Sequence, residues 1–312
     1  MTSNSLYLLN DWKLMKLDGR RESSNVDDRR GRGGGFRLGG KGGLGIGAVI
    51  VIGLLTYFMT GDLNQAFQAA TSGGDLTSVV TGQGGAQDEA YEPTPEEREL
   101  ESFARKVLAS TEDVWTAEFQ RMGKTYEPPT LVFFSGSVQS GCGGASSSAG
   151  PFYCSADQCV YLDLSFFSSM RQQLGADGDF AYAYVIAHEV GHHVQHLLGT
   201  LGKAHAQMAK MSQENANRMS VQIELQADCY AGVWANHEQA MYGSLEEGDL
   251  QEAINTAEVI GDDYLQKKAQ GYVVPESFNH GTSHQRIKWF KRGWNAGKVS
   301  AGDTFSVAYE DL

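Results

Sequence analysis

The sequence predicts an α+β domain, mainly helical with a small sheet, standing behind one N-terminal transmembrane helix. Three observations carry that prediction. Between Lys41 and Asp62 runs a stretch of 20 uncharged residues, which as a helix reaches ~30 Å, about one bilayer core. From Asp179 to about residue 270 the apolar residues keep helical spacing. Two short apolar runs, Thr130–Phe134 and Cys159–Leu164, have strand length. The composition, 41% hydrophobic and 20% charged over 312 residues, suits a folded domain. A net charge of -13 excludes nucleic acid as the partner of the bulk of the chain.

In chain order, residues 1–42 read as a disordered basic cytoplasmic tail, because Asp27–Gly43 is polar, basic and Gly-rich. Residues 43–61 read as the transmembrane helix, with LGIGAVIVIGLLTYFM at its centre. A signal peptide would need a shorter apolar run and a small-residue exit. Arg29, Arg30, Arg32, Arg37 and Lys41 precede this run, and only Asp62 follows closely. The positive-inside rule then keeps the N-terminus cytoplasmic and places everything after residue 61 outside. The expected arrangement is single-pass, with the folded domain outside the cytoplasm and the lipid bilayer as partner through residues 43–61. Residues 62–93 read as a flexible linker. A helix is expected from Thr94, with Pro95 in its first turn and Leu100, Phe103, Val107, Leu108, Val114, Trp115 and Phe119 at apolar spacing. The folded domain spans 94–297, followed by a C-terminal tail, 298–312. The four cysteines form no pair of CxxC knuckles. Outside the cytoplasm, a Cys142–Cys154 bridge would pin the Gly/Ser loop between the two strands, with Cys159 as the alternative partner.

The chemistry lies in HEVGH, residues 188–192. On a helix His188 and His192 share one face, as two imidazoles must to bind one zinc ion, and Glu189 is placed to act on water at that ion. A catalytic zinc site wants a third protein ligand. The metzincin continuation fails, because Gln195 and Leu198 stand where Gly and His are required. His196 cannot converge with the other two from one straight helix. Downstream, IELQADCYAGVW carries Glu224 and Asp228 four residues apart in apolar company. Glu224 as ligand, with Asp228 holding a ligand histidine by its outer nitrogen, is one assignment; the reverse is the other. Gly191 inside a helix costs ~1 kcal/mol and implies close packing against that second helix. His193, His196, His205 and His237 read as surface or packing residues.

These residues resemble the bacterial neutral zinc metallopeptidases of the YpfJ-like type. The matching stretches are GRRESSNVDDRRG (19–31), the apolar run, FFSGSVQSGCGGASSSAGPFYC (133–154), VYLDLSFF (160–167), AHEVGHHVQ (187–195), ELQADCYAGVW (224–234) and FNHGTSHQRIKWF (278–290). Residues 1–15 fall outside the family pattern, so Met15 is an alternative start. HExxH followed by ExxxD also resembles, more distantly, the gluzincins. That likeness implies a zincin-like fold, Glu224 as third ligand, Asp228 behind the ligands, and catalytic roles for His280 and Arg286, which keep the gluzincin His-to-Arg spacing although Gly281 replaces the usual Pro. The expected activity is hydrolysis of a peptide or protein substrate by zinc-activated water, with one zinc per chain, Glu189 as general base, and His280 or Arg286 on the oxyanion. Cys159–Leu164, read as an exposed edge strand, would hold the substrate by β-augmentation. The alternative is a zinc-binding, non-hydrolytic membrane-anchored accessory or assembly protein, against which the intact Glu189 argues.

Overall fold

The computed structural model describes residues 15–31 and 91–312. The expected transmembrane helix 43–61 lies outside the described residues, as does the expected linker up to residue 90. Among the described residues no helix is long and apolar enough to cross a membrane. They form two compact units: residues 15–24, 99–129 and 167–312 make the first, residues 25–31, 91–98 and 130–166 the second.

The second unit is built on six strands, β1 (Val26–Asp28), β2 (Thr130–Phe133), β3 (Ser137–Ser140), β4 (Gly143–Ser146), β5 (Phe152–Cys154) and β6 (Cys159–Leu162). A four-stranded sheet runs in the order β1-β2-β6-β5. β1, β2 and β6 are parallel, and β5 returns antiparallel to β6. β3 and β4 form a separate antiparallel pair. The expected Cys142–Cys154 bridge is present and Cys159 is free. Cys154 and Cys159 both lie in the apolar cluster of Val132, Phe134, Val138 and Tyr161. One expectation is corrected here. β6 is bonded on both sides, so it offers no edge to a substrate strand. All four of its residues are buried, the mark of an interior strand rather than a rim.

The disordered tail is corrected too. Its residues 15–31 are ordered and bonded within both units. In the second unit, Leu131 N–H donates to Asn25 O at 2.8 Å and Arg29 N–H to Phe133 O at 2.8 Å, so β1 completes the outer edge of β2. In the first unit, Met15 and Leu17 are buried, Lys16 N–H donates to Ser244 O at 2.9 Å, and Ser23 N–H donates to Arg105 O at 3.0 Å. The Gly-rich composition that suggested disorder belongs to the residues after Gly31.

The helices follow from caps and periodicity. α1 (Pro95–Arg121) starts where expected: Glu97 N–H donates to Thr94 Oγ1 at 3.2 Å while Thr94 N–H donates to the Glu97 carboxylate at 2.7 Å. After a short α2 (Ser165–Ser169) come α3 (Asp179–Leu197), α4 (Thr200–Met208), α5 (Gln213–Tyr242), α6 (Asp249–Val259), α7 (Asp262–Gln270) and α8 (Ser283–Ala296). Helical structure therefore reaches beyond the expected residue 270. The 298–312 segment is no loose tail, since Leu312 packs with Val221, Leu225, Cys229, Phe278 and Trp289. α3 meets α5 closely, as expected from Gly191: a Cβ there would stand 3.0 Å from the Ala227 carbonyl oxygen.

No side chain caps α3 from Gly178; Phe180 N–H donates instead to Glu252 Oε2 of α6 at 3.1 Å. Asp179, Asp249 and Glu252 bring carboxylate oxygens within 4.8 Å of one another there. Burial and then Asp249 push Asp179 up to about 7, against the pull of the Met15 N–H. Burial, Asp179 and Asp249 push Glu252 to about 7 as well. Asp249 is raised by burial, against the pull of the Glu246 N–H and of Lys16. The folded chain thus keeps protons that the unfolded chain, with carboxylates near ~4, has released. Stability contributed by this cluster is full below about pH 4 and lost as pH rises through about 7. Asp179→Asn should flatten the fall in urea midpoint between pH 5 and pH 8; an unaltered fall would refute this account of the cluster.

Candidate metal centre

His188 and His192 stand one turn apart on α3, with ring centroids 4.8 Å apart and planes at 89°. Glu224 reaches between them from α5. Its Oε2 lies 3.1 Å from His188 Nε2 and its Oε1 3.5 Å from His192 Nε2. These three side chains offer ligand atoms within 4.8 Å of one another. Neighbouring ligands of a tetrahedral zinc at ~2.0–2.1 Å stand about 3.3 Å apart, close to the separation of each imidazole Nε2 from its nearer Glu224 oxygen.

The far side of each imidazole decides what the near side does. His192 Nδ1 lies 2.9 Å from Gln195 Oε1. Gln195 Nε2 donates to Ile223 O at 2.7 Å and to Gln226 Oε1 at 3.1 Å. A carbonyl only accepts, so the amide orientation is fixed and Nδ1 of His192 must donate. His188 Nδ1 donates in the same way to Asp228 Oδ1 at 2.7 Å. In the neutral imidazoles both Nε2 lone pairs then face the Glu224 carboxylate, acceptor against acceptor. Such an arrangement needs a cation between its members. Without a metal, protons serve: burial lowers His188, but Asp228 and Glu224 outweigh it and raise the imidazole to about 10. His192 is raised by Glu224 against burial. Burial would raise Glu224, yet His192 and His188 hold it well below the carboxylate range.

Asp228 is fully buried. Besides His188 it accepts from Tyr184 Oη at 2.6 Å, from Arg286 Nε at 2.8 Å and from Arg286 Nη2 at 2.9 Å. Burial works to raise its pKa, but Arg286 and His188 bring it down to about 2. Of the two assignments left open by the sequence, this geometry favours Glu224 toward the ion and Asp228 behind His188. Arg286 is only 3% exposed; the Nε–Nη2 edge of its guanidinium is committed to Asp228, and Nη1 donates to Ile260 O at 3.4 Å. It is therefore a positioning residue rather than the oxyanion donor expected. Glu189 is 8% exposed, and burial raises its carboxyl against the pull of His192 and His188.

His280 sits beside this group with a side chain 39% exposed. Its charge helps to lower Glu224, and Asp262 and Glu224 raise it against burial. Its Nδ1 lies 3.2 Å from Asp262 Oδ1, and the other Asp262 oxygen accepts the N–H groups of Asn279, His280 and Gly281 at 2.8, 2.7 and 3.0 Å. Gly281 has φ +92° and donates its N–H. A proline could do neither, which accounts for the departure from the usual pattern. Among the remaining histidines, His193 bonds Glu127 O at 2.6 Å and His237 pairs with Glu118 at 3.0 Å, both structural roles.

Sequence reasoning missed Tyr184, Gln195 and Asp262. Tyr184 lies four residues before His188 and Gln195 three after His192, so projecting α3 onto a helical face would have found both. Asp262 gives no local signal. Removing the guanidinium should strand the Asp228 charge: Arg286→Ala is expected to lose about 3–5 kcal/mol in urea unfolding. Arg286→Lys should recover part of that by restoring the charge without the two-point grip.

A family model described as "putative neutral zinc metallopeptidase" matches residues 15–305. The chain is 49% identical over 300 residues to the uncharacterized protein YpfJ of Escherichia coli K12, covering 93% of this chain and 99% of that protein. It is 43% identical over 193 residues to the uncharacterized protein Mb2605 of Mycobacterium bovis, covering 59% of this chain and 64% of that one. No solved structure matches.

Proposed function

The chain belongs to the putative neutral zinc metallopeptidase family, and on that footing we propose that it hydrolyses peptide bonds in peptide or protein substrates with one zinc ion per chain. His188, His192 and Glu224 would hold the ion. When bound there, zinc supplies a Lewis acid for the scissile carbonyl and lowers the pKa of water. Glu189 takes the proton of the attacking water and returns it to the leaving amine nitrogen. Its buried position supports that work by keeping the carboxylate basic. Asp228 and Gln195 hold the two imidazoles, with Tyr184 and Arg286 holding Asp228 in turn. His280, half exposed beside Glu224, is the donor offered to the oxyanion.

The observation that carries this reading is the double lock on the histidines. Both outer nitrogens are occupied, so both inner ones face Glu224. An accessory protein without turnover would have no use for a buried base at position 189.

The test uses the full chain in detergent, with zinc measured by elemental analysis and turnover on an unstructured protein such as casein. One zinc per chain is expected, and Glu224→Ala should lose most of it. Glu189→Gln should keep the zinc while hydrolysis drops ~100- to 10,000-fold. Zinc retained by the parent with no turnover on any substrate tried would favour the accessory reading. Equal zinc in Glu224→Ala and parent would overturn the ligand set.

A further inference from the structure

We propose that residues 15–31 and residues 91–312 lie on the same side of the membrane, the oxidising side, so that the candidate metal centre shares a compartment with the segment preceding the apolar run. Each unit supports this independently. In the first, Arg20 donates to Glu238 at 2.8 Å and to Ser244 Oγ at 3.1 Å, with its guanidinium over the Tyr242 ring at 3.5 Å. Glu238 is fully buried, and Arg20 is its cationic partner among the described residues. The other Glu238 contacts come from hydroxyls, Ser110 and Ser244. Arg21 pairs with Glu112 at 2.7 Å and Asp113 at 2.6 Å, and Ser23 Oγ donates to Glu112 at 2.5 Å. Without residues 15–24 the first unit would hold a buried carboxylate with no counter-ion among the described residues, which costs far more than a surface pair gains.

In the second unit, β1 pairs in parallel with three of the four residues of β2, Val26 with Leu131 through Asp28 with Phe133. Arg30, 5% exposed, pairs with Asp28 and lies over the Phe133 and Tyr91 rings at 5.3 and 5.1 Å. β2 is buried over three of its four residues, and without β1 its outer edge would lose these bonds.

The apolar run lies between these partners in the sequence. A single crossing would set ~30 Å of hydrocarbon between groups that stand in hydrogen-bond contact. Residues 31 and 91 therefore meet on one face of any bilayer the intervening run enters. The charge bias that suggested a single pass weakens on the same evidence, since Arg29 and Arg30 are paired with Asp27 and Asp28 at 2.7 and 2.6 Å. The Cys142–Cys154 bridge chooses the side, because such a bond persists in an oxidising compartment. None of this rests on the zinc reading, so either can fail alone.

The native cysteines are bonded or buried, which leaves little background for thiol labelling. Asp18→Cys and Lys203→Cys, both at exposed positions, would be made singly in the full chain and expressed in bacterial membranes. In intact spheroplasts, a membrane-impermeant maleimide should label both to the extent seen after lysis. One residue labelled intact and the other only after lysis would overturn the proposal. Both protected until lysis would uphold the shared side and overturn its assignment to the oxidising face. As a separate measure, Glu22 and Ser102 touch at 2.5 Å. A Glu22→Cys, Ser102→Cys variant treated with a short bis-maleimide should give that cross-linked peptide pair in the mass spectrum. Its absence alongside single labelling at both positions would count against the packing itself.

Discussion

The Asp228 carboxylate is the constraint on which the candidate site depends. It stands on α5, fully buried, and gathers Tyr184 and His188 from α3 and Arg286 from α8. A buried anion is tolerated only when its oxygens are filled and a cation is near, and all of its donors come from neighbouring helices. Those helices can reach it because both approach α5 at backbone distance on either side of the same residue. Gly191 of α3 lies against Ala227, and a Cβ on Gly293 of α8 would collide with the carbonyl of Cys229. The residues before and after Asp228 thus take the glycine contacts while Asp228 takes the charge. A side chain at either glycine would push a helix outward and lengthen hydrogen bonds that hold His188.

The two histidines are supported differently, and the difference has an electrostatic consequence. His188 leans on a carboxylate whose charge Arg286 offsets; His192 leans on the neutral amide of Gln195. Among the three residues that would hold an ion, Glu224 brings the single negative charge. A divalent cation held by two neutral imidazoles and one carboxylate keeps a net positive charge, the condition under which it can polarise a carbonyl. A second bare carboxylate in place of Gln195 would cancel that surplus.

What could be read from the sequence follows from the range of each interaction. His188 with His192, and Glu224 with Asp228, are partners of one helix face at four-residue spacing, so they are visible locally. The Thr94 cap and the Cys142–Cys154 loop are equally local. Asp262 was invisible because its partners are backbone N–H groups of Asn279, His280 and Gly281, which any residue carries. β6 was misread because its apolar pattern marks a buried strand without naming the neighbours: β2 pairs with it from 29 residues earlier, and β5 returns to it only through the short turn 155–158. Residues 15–31 were misread for a related reason: composition averages over a window, whereas Arg20 and β1 are ordered by particular partners more than a hundred residues away.

That N-terminal segment also bears on the metal centre, through the helices rather than through the ligands. α3 and α5 run antiparallel, with Phe180 stacked on Trp234 at 5.9 Å and Gln195 bonded to Ile223. Residues 15–24 meet both helices at the end away from the ligands: the Met15 N–H on Asp179, the first residue of α3, and Arg20 on Glu238 in the last turns of α5. At ~1.5 Å per residue these contacts lie about 14 Å from His188 along α3 and about 21 Å from Glu224 along α5. Two helices that present ligands from one end are fixed in angle only if they are also fixed at the other. Between the ends, the buried Trp234 Nε1–H donates to Ser110 of α1, whose hydroxyl in turn donates to Glu238, the same carboxylate that Arg20 holds. The ion pair that places residues 15–24 beside the domain is in this way continuous with the packing that keeps His188, His192 and Glu224 converged.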